Sequence, residues 1–301
     1  MTRSSARDDD LTGALARCIT DHTGVPFEAT GRSARSGGSI NQALRLEGTD
    51  GRRFFVKLNR GDHAGMFAAE ARGLTELQRC EVLKIPAVIG TGEAAGARFL
   101  IIEDLDLGGP RDAVALAHGI ADMHSHTASR FGLDEDNFIG STPQSNRPHA
   151  DWVDFYREER LGFQRRLARD RGAPRGRLDT LAELEERLDG FFTDYRPQPS
   201  LLHGDLWSGN WDFLGDGRPT LFDPATYYGD PEADLAMMEL FGHPGRDFFA
   251  AYGEQRPLDP GYATRRTLYN LYHILNHDHL FGGGYGSQAE RMAQQLLAEV
   301  R

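Results

Sequence analysis

Lysine is nearly missing from this chain. It occurs only at Lys57 and Lys84, and every other cation among the 34 Lys and Arg residues is arginine. Such a bias reflects the source genome more than function, yet a lysine kept against it marks a place where a forked guanidinium does not serve. Cysteine is scarce too: Cys18 and Cys80 are the only two, with no CxxC pair. That count argues against a disulfide framework and against a thiolate zinc site. No apolar run reaches bilayer-spanning length, and the opening MTRSSARDDD lacks the apolar centre of a secretory signal, so the cytoplasm is the expected location. Positive charge is in deficit, with 45 acidic residues and a net charge of −11. That balance argues against nucleic acid or an anionic membrane as the main partner and permits a cationic or neutral small substrate.

What is present is ordinary for a soluble globular chain: 301 residues, 39% hydrophobic and 26% charged, enough for two lobes. Residues 1–9 read as a disordered lead, followed by a helix from the Asp8–Asp10 cap to about Thr20. From Phe27 the pattern turns strand-like. INQALRL and RRFFVKLN flank the turn EGTDG as a hairpin, a helix is expected over 62–80, and KIPAVIGTG and ARFLIIEDL are two further strands. After Gly108-Gly109-Pro110 the chain turns helical, over 111–127, 150–170 and 177–194. The stretch FGLDEDNFIGSTPQSNRPH between the first two reads as a loop too polar for the core. A hairpin, WDFLGDGRPTLFD, precedes four closing helices near 231–241, 246–254, 262–280 and 287–299. The expected class is α+β: a small β-rich lobe over 1–105 and a larger, mainly helical lobe over 106–301.

The chemistry concentrates in LLHGDLWSGN, residues 201–210. Phosphoryl transfer from ATP needs a carboxylate to accept the proton of an attacking hydroxyl, and oxygen ligands to hold Mg2+ on the phosphates. Asp205 at the start of a tight loop and Asn210 at its end meet that need, and Asp223 closes the following hairpin. His203 precedes Asp205 as in the His-x-Asp of kinase catalytic loops. Turn geometry alone would also place Asp and Asn in such a loop, but H-G-D-x-x-x-x-N followed by a strand-terminal Asp is far more specific than HGD alone.

The first lobe must then supply a cation and an acid. Lys57 lies on a strand, and Glu70 shares the apolar stripe of Phe67 and Leu74 on the following helix. A carboxylate there is costly unless a cation meets it, and Lys57 is the candidate; a solvated position at the edge of the stripe is the alternative. SARSGGSINQ, with Gly37, Gly38 and Ser39, is the candidate phosphate-covering turn, although it lacks a full GxGxxG. FLIIEDLDLGG runs into the hinge, where backbone groups of Glu103, Asp104 and Leu105 would meet adenine.

Taken together these stretches resemble the fructosamine kinase (ketosamine 3-kinase) family, within the aminoglycoside phosphotransferase and choline kinase-like group of the protein kinase-like fold. HGDLWSGN is that family's form of the loop. FIGSTPQSNRPHADWVDFYREERLG, FDPATYYGDPEADLAMMELFG and LYNLYHILNHDHLFGGGYGSQA extend the resemblance over nearly the whole chain. It implies Mg2+-dependent transfer from ATP to a sugar hydroxyl of a free or protein-bound ketoamine. In that scheme Asp205 is the base, Asn210 and Asp223 are the metal ligands, and Lys57 with Glu70 orders the phosphates. Ser39 stands where some relatives have a reactive cysteine, so redox control there is not expected.

Trp207 is either a wall for the sugar or core packing under the loop. His273 and His277 have the i, i+4 spacing of a zinc pair without the glutamate of HExxH; cleft-lining structure, substrate contact and metal all stay open. His124 and His126 read as packing or helix-end residues. Other readings are a kinase of this fold acting on an aminoglycoside, choline-like or homoserine-like alcohol, and a silent kinase-like binding protein, against which the intact Lys57, Asp205, Asn210 and Asp223 argue. Oligomeric state is not legible.

Overall fold

The computed structural model describes residues 2–35, 41–61 and 65–300. Gly37, Gly38 and Ser39 lie outside them. The chain opens with α1 (Thr2–Thr23), so the expected disordered lead is helical from Thr2. No glycine or proline interrupts the segment before Gly13, and Leu11, Leu15 and Ile19, at i, i+4 and i+8, bury one face.

That face packs on a five-stranded antiparallel sheet of β1 (Ala29–Arg35), β2 (Gln42–Gly48), β3 (Arg53–Asn59), β4 (Val88–Ala94) and β5 (Ala97–Glu103), in the order β1-β2-β3-β5-β4. Strand alternation sorts the side chains. Leu46, Val56, Phe99 and Ile101 meet α1, whereas Leu100 and Ile102 meet α2 (Met66–Leu77) on the other face. The second cluster does not stop at the sheet. It continues through Leu116 and Ile120 of α3 (Ala113–Ser125) to Leu201, Leu206 and Phe213.

Beyond α3 the helices dominate, with α4 (Trp152–Phe155), α5 (Gly162–Asp170), α6 (Arg175–Glu186), α7 (Pro231–Leu240), α8 (Arg246–Gln255), α9 (Tyr262–Phe281) and α10 (Tyr285–Glu299). The four closing helices fall where periodicity placed them. The helix expected over 150–170 is instead divided by a π-helical stretch, Tyr156–Leu161, and that expected over 177–194 ends at Glu186, before a 3-10 turn. Six short strands complete the lobe as three hairpin-like pairs: β6 (Asn137–Ile139) with β7 (Thr142–Gln144), β9 (Trp211–Phe213) with β10 (Pro219–Leu221), and β8 (Ser200–Leu202) with β11 (Tyr227–Gly229). Among the described residues no helix is long and apolar enough to cross a membrane.

A further reading is overturned. The stretch 131–149 is not wholly an exposed loop: Asp134 to Asp136, Arg147 and Pro148 are exposed, but Phe131, Asn137, Ile139, Gln144 and Asn146 are buried, and the buried amides bond to one another. Asn137, Gln144, Asn146 and Arg160 are all buried. Gln144 and Asn146 donate to Asn137 Oδ1 (both 2.8 Å), Arg160 donates to Asn146 Oδ1 (2.9 Å) and the Ser145 carbonyl (2.5 Å), and Tyr272 donates to Gln144 (2.7 Å). The Arg160 guanidinium lies 4.0 Å from the Tyr227 ring centre and 4.6 Å from that of Phe155. Removing this cation orphans buried acceptors. Arg160→Ala is therefore expected to lower stability by about 2–3 kcal/mol, read as a fall in the urea midpoint. The exposed Arg169→Ala is expected to change it by under about 1 kcal/mol. Equal midpoints for the two variants would refute the role of Arg160.

Candidate active site

The segment 201–210 is held from below. Strand β8 is fully buried between α3 and α7, and the chain after it turns through Gly204, whose φ of +81° favours glycine. A Cβ there would stand 2.1 Å from the Ala225 carbonyl oxygen, so the loop crosses the segment before β11 at backbone distance. Asp234 of α7 accepts from the N–H groups of His203 (2.7 Å) and Gly204 (2.9 Å). His203, wholly buried, accepts from the Asp205 N–H through Nδ1 (3.2 Å) and donates from Nε2 to the Phe222 carbonyl (3.0 Å). That pattern needs the neutral ring, and burial does hold its pKa below 6.5. One imidazole thus spaces the Asp205 loop from the Asp223 loop.

At the loop's end Asn210 Nδ2 donates to the Asp205 carbonyl (2.8 Å) and to Asp205 Oδ2 (3.0 Å), which fixes the amide and the carboxylate relative to each other. Asp223 takes φ +59°, a left-handed conformation that Asp tolerates better than most residues. Its carboxylate accepts from Lys57 of β3, which also donates to Glu70 of α2. Burial works against the Lys57 ammonium, but Asp223 and Glu70 together outweigh it and raise its pKa. Burial lifts Asp205 in the other sense, with the nearby Asp223 charge adding to it against the Asn210 bond, to about 7. A carboxylate placed there is suited to proton transfer near neutrality.

Lys57, Glu70, Asp205, Asn210 and Asp223 all line one cavity of about 890 Å³. Ile102, Glu103, Asp104 and Leu105 also line it. The side chains of Glu103 and Asp104 are occupied by Lys84 (2.6 Å) and Arg45 (2.8 Å), and the Glu103 N–H by the Ala87 carbonyl. Adenine recognition at this hinge would therefore fall to the backbone that follows the strand. The aromatic part of the lining is Phe138, Phe241, His277, Phe281 and Tyr285. Trp207 lines the cavity with 38% of its surface exposed, so it is wall rather than core. Its ring occupies the space a Cβ on Gly209 would need, at 2.3 Å, which explains the small residue in LWSGN.

The two candidate histidines of α9 separate. His277 lines the cavity, with its ring centre 4.8 Å from that of Phe241. His273 does not: it is 5% exposed, and its carbonyl is bound by His277 Nδ1 (2.8 Å). A direct substrate contact and a shared metal are thus corrected for His273, because helical twist turns it into the core. The residues that sequence reading missed are Asp234 and its supports. His124 contacts Asp234 (3.3 Å) through Nε2 and Tyr252 Oη (2.8 Å) through Nδ1. The available signal was an acid inside the apolar run ADLAMM, a buried position that demands donors.

The donor set fits Mg2+. Asn210 spends its Nδ2 on Asp205, which leaves Oδ1, and Lys57 takes one oxygen of Asp223, which leaves the second on a partly exposed carboxylate. Oxygen-only donors beside a cleft suit a hard cation.

A model of the fructosamine kinase family matches residues 11–299. A Synechocystis protein assigned as a ketoamine kinase is 44% identical over 287 residues, covering 94% of this chain and 96% of its own. The chloroplastic protein-ribulosamine 3-kinase of Arabidopsis thaliana is 42% identical, covering 88% of this chain and 82% of its own. A crystal structure assigned as a fructosamine-3-kinase, from Thermobifida fusca, matches with TM-score 0.84 and 34% identity, over 95% of this chain and 99% of its own. The aminoglycoside phosphotransferase APH(4)-Ia, solved with ADP and hygromycin B, shares the fold at TM-score 0.62 and 16% identity, over 95% of this chain and 98% of its own.

Asp234 generates a test of this scaffold. Burial opposes its carboxylate, but the bonds from His124 and Gly204 hold its pKa below the ordinary 3.8. Asp234→Asn is expected to cost about 2 kcal/mol near neutrality. The contribution of the carboxylate is complete above the ordinary value and is lost as pH falls through the lowered one. The gap between wild type and variant in urea unfolding should therefore narrow below about pH 4. A gap constant down to pH ~3 would exclude the charged form as the stabilising one.

Proposed function

The chain belongs to the fructosamine kinase family, and from that premise we propose that it is an ATP-dependent kinase that phosphorylates a sugar hydroxyl of ketoamines. The observation that carries this reading is the meeting of Lys57, Glu70, Asp205, Asn210 and Asp223 on one cavity, from segments up to 166 residues apart. The lobes are taken as 1–105 and 106–301, with ATP between them. A nucleotide-rich compartment, the cytoplasm, suits this chemistry.

Each residue has a task in this proposal. The Lys57 ammonium has three donors; Glu70 and Asp223 take two and leave one for a phosphate oxygen. The backbone of Asp104 and Leu105, beyond the end of β5, receives adenine, with the segment Gly37, Gly38 and Ser39 as the phosphate cover. Asn210 and Asp223 would hold Mg2+, which neutralises phosphate charge when bound. Asp205 orients the acceptor hydroxyl and takes its proton as the oxygen forms its bond to the γ-phosphorus. The bond from that phosphorus to the β–γ bridging oxygen breaks, and ADP leaves. Trp207 and His277 form the wall of the acceptor end. A ketoamine carries a sugar and an amine substituent, and the open aromatic mouth at Phe281, 52% exposed, leaves room for the second.

ATP consumption on ribulosamine and fructosamine substrates, measured beside aminoglycosides and choline, tests the reading. Turnover confined to aminoglycosides or choline would overturn it. Asp205→Ala is expected to lower kcat by at least ~100-fold. Lys57→Arg should lower kcat/KM by a similar factor, ~100-fold, because a longer planar fork cannot serve two carboxylates and a phosphate from one point. An unchanged rate for that variant would remove Lys57 from the scheme.

A further inference from the structure

A second cluster of reactive side chains lies outside the nucleotide cleft. Cys80 follows the end of α2, and Asp122 and His126, at i, i+4, come from the end of α3. The thiol sulfur, a carboxylate oxygen and an imidazole nitrogen all lie within 4.8 Å of one another. No two of them form a hydrogen bond or an ion pair, and none of the three side chains bonds to another group among the described residues. Cys80 is only 3% exposed, and Asp122 and His126 are half-buried. Three strong ligand types thus converge without satisfying each other.

We propose that Cys80, Asp122 and His126 bind one thiophilic divalent cation of the Zn2+ type, with a fourth position for water. The set of sulfur, imidazole nitrogen and carboxylate oxygen suits zinc, and the sulfur disfavours the Mg2+ used in the cleft. Zinc bonds of ~2.0–2.3 Å place ligand atoms ~3.3–3.8 Å apart, so the cluster must close by about 1 Å. Asp122 and His126 sit at the surface end of their helix, where side-chain rotation can supply that closure.

The surrounding charges permit a cation. Arg79, the residue before Cys80, is already paired with Glu76 (2.6 Å), which also accepts from Tyr228 Oη (2.5 Å). Cysteine ligates zinc as the thiolate, so binding releases the thiol proton to solvent. The other cluster of this kind, His149 with Glu158 and Glu159, is already answered by Arg147 at 2.8 Å from Glu159 and carries no such opening.

Position gives the site its consequence. Helix α2 carries Glu70, the partner of Lys57, while the His126 carbonyl accepts from the Leu201 N–H (2.8 Å) on the strand that leads to Asp205. A metal on Cys80, Asp122 and His126 ties those two elements together at the back of the cleft.

The full chain, freed of metal by a chelator and dialysed, is titrated with Co2+ and Zn2+, without substrate. One equivalent should bind. Cobalt should give a thiolate charge-transfer band in the near ultraviolet, and Zn2+ should raise Tm. Cys80→Ser should abolish the band. His126→Ala and Asp122→Asn, at half-exposed positions where folding is not in question, should each weaken Zn2+ binding at least about tenfold. His149→Ala should bind like wild type. A wild-type protein without the cobalt–thiolate band, or unchanged Zn2+ affinity in His126→Ala and Cys80→Ser, overturns the site.

Discussion

One ammonium group organises this molecule. Lys57 stands on the central strand β3 and is shared by Glu70 from α2 and Asp223 from the loop after β10, so sheet, helix and catalytic lobe meet at a single nitrogen. Taking such a charge out of water costs several kcal/mol unless partners offset it. Two carboxylates against one ammonium offset it and leave an excess of negative charge. The contact that joins the lobes is therefore also an invitation to a divalent cation and phosphate. The lift of Asp205 toward neutrality follows from its burial, with the Asp223 charge adding to it.

How far the molecule could be read from its residues depended on the range of each interaction. Asp205 and Asn210 were legible because their bonds run within five residues of chain. Lys57 and Glu70 were legible for another reason: an acid on an apolar stripe requires a cation, and this chain has only two lysines. Asp234 was not assigned, because its role is to receive backbone N–H groups that any sequence offers. His273 was left open between structure, substrate contact and metal, since i, i+4 spacing does not say which of two neighbouring positions on α9 faces the cavity. The Cys80 cluster was discounted on cysteine count, which sees ligand spacing along the chain but not a mixed set assembled from two helices.

Polarity misled in the same way at 131–149. A run of Asn, Ser, Gln and Arg reads as solvated surface when its partners are unknown. Here the partners are Thr226, Ala225, Tyr272 and Arg160, all distant in sequence and buried together. The result is a segment of buried polar groups that places Asn137, Phe138, Ile139 and Gly140 on the wall of the cavity. A network of directional bonds holds such a wall in one position more strictly than apolar packing would.

The apolar cluster that passes from β5 through α2 and α3 to Leu201 and Leu206 has a consequence for the chain as a piece of polymer. The two lobes differ in secondary structure, but the inner face of the sheet has no covering of its own beyond α2. A polypeptide stopped at Leu105 would present Leu83, Ile85 and Ile102 to water without the α3 side chains that complete their cluster. Such a half-molecule belongs with fragments that associate or aggregate unless supplied with 106–301 in trans. Recovery of a soluble, monomeric 1–105 fragment on its own would contradict this. In genetic terms the boundary between the lobes is a poor place to cut or to graft, although it is where the chemistry is done.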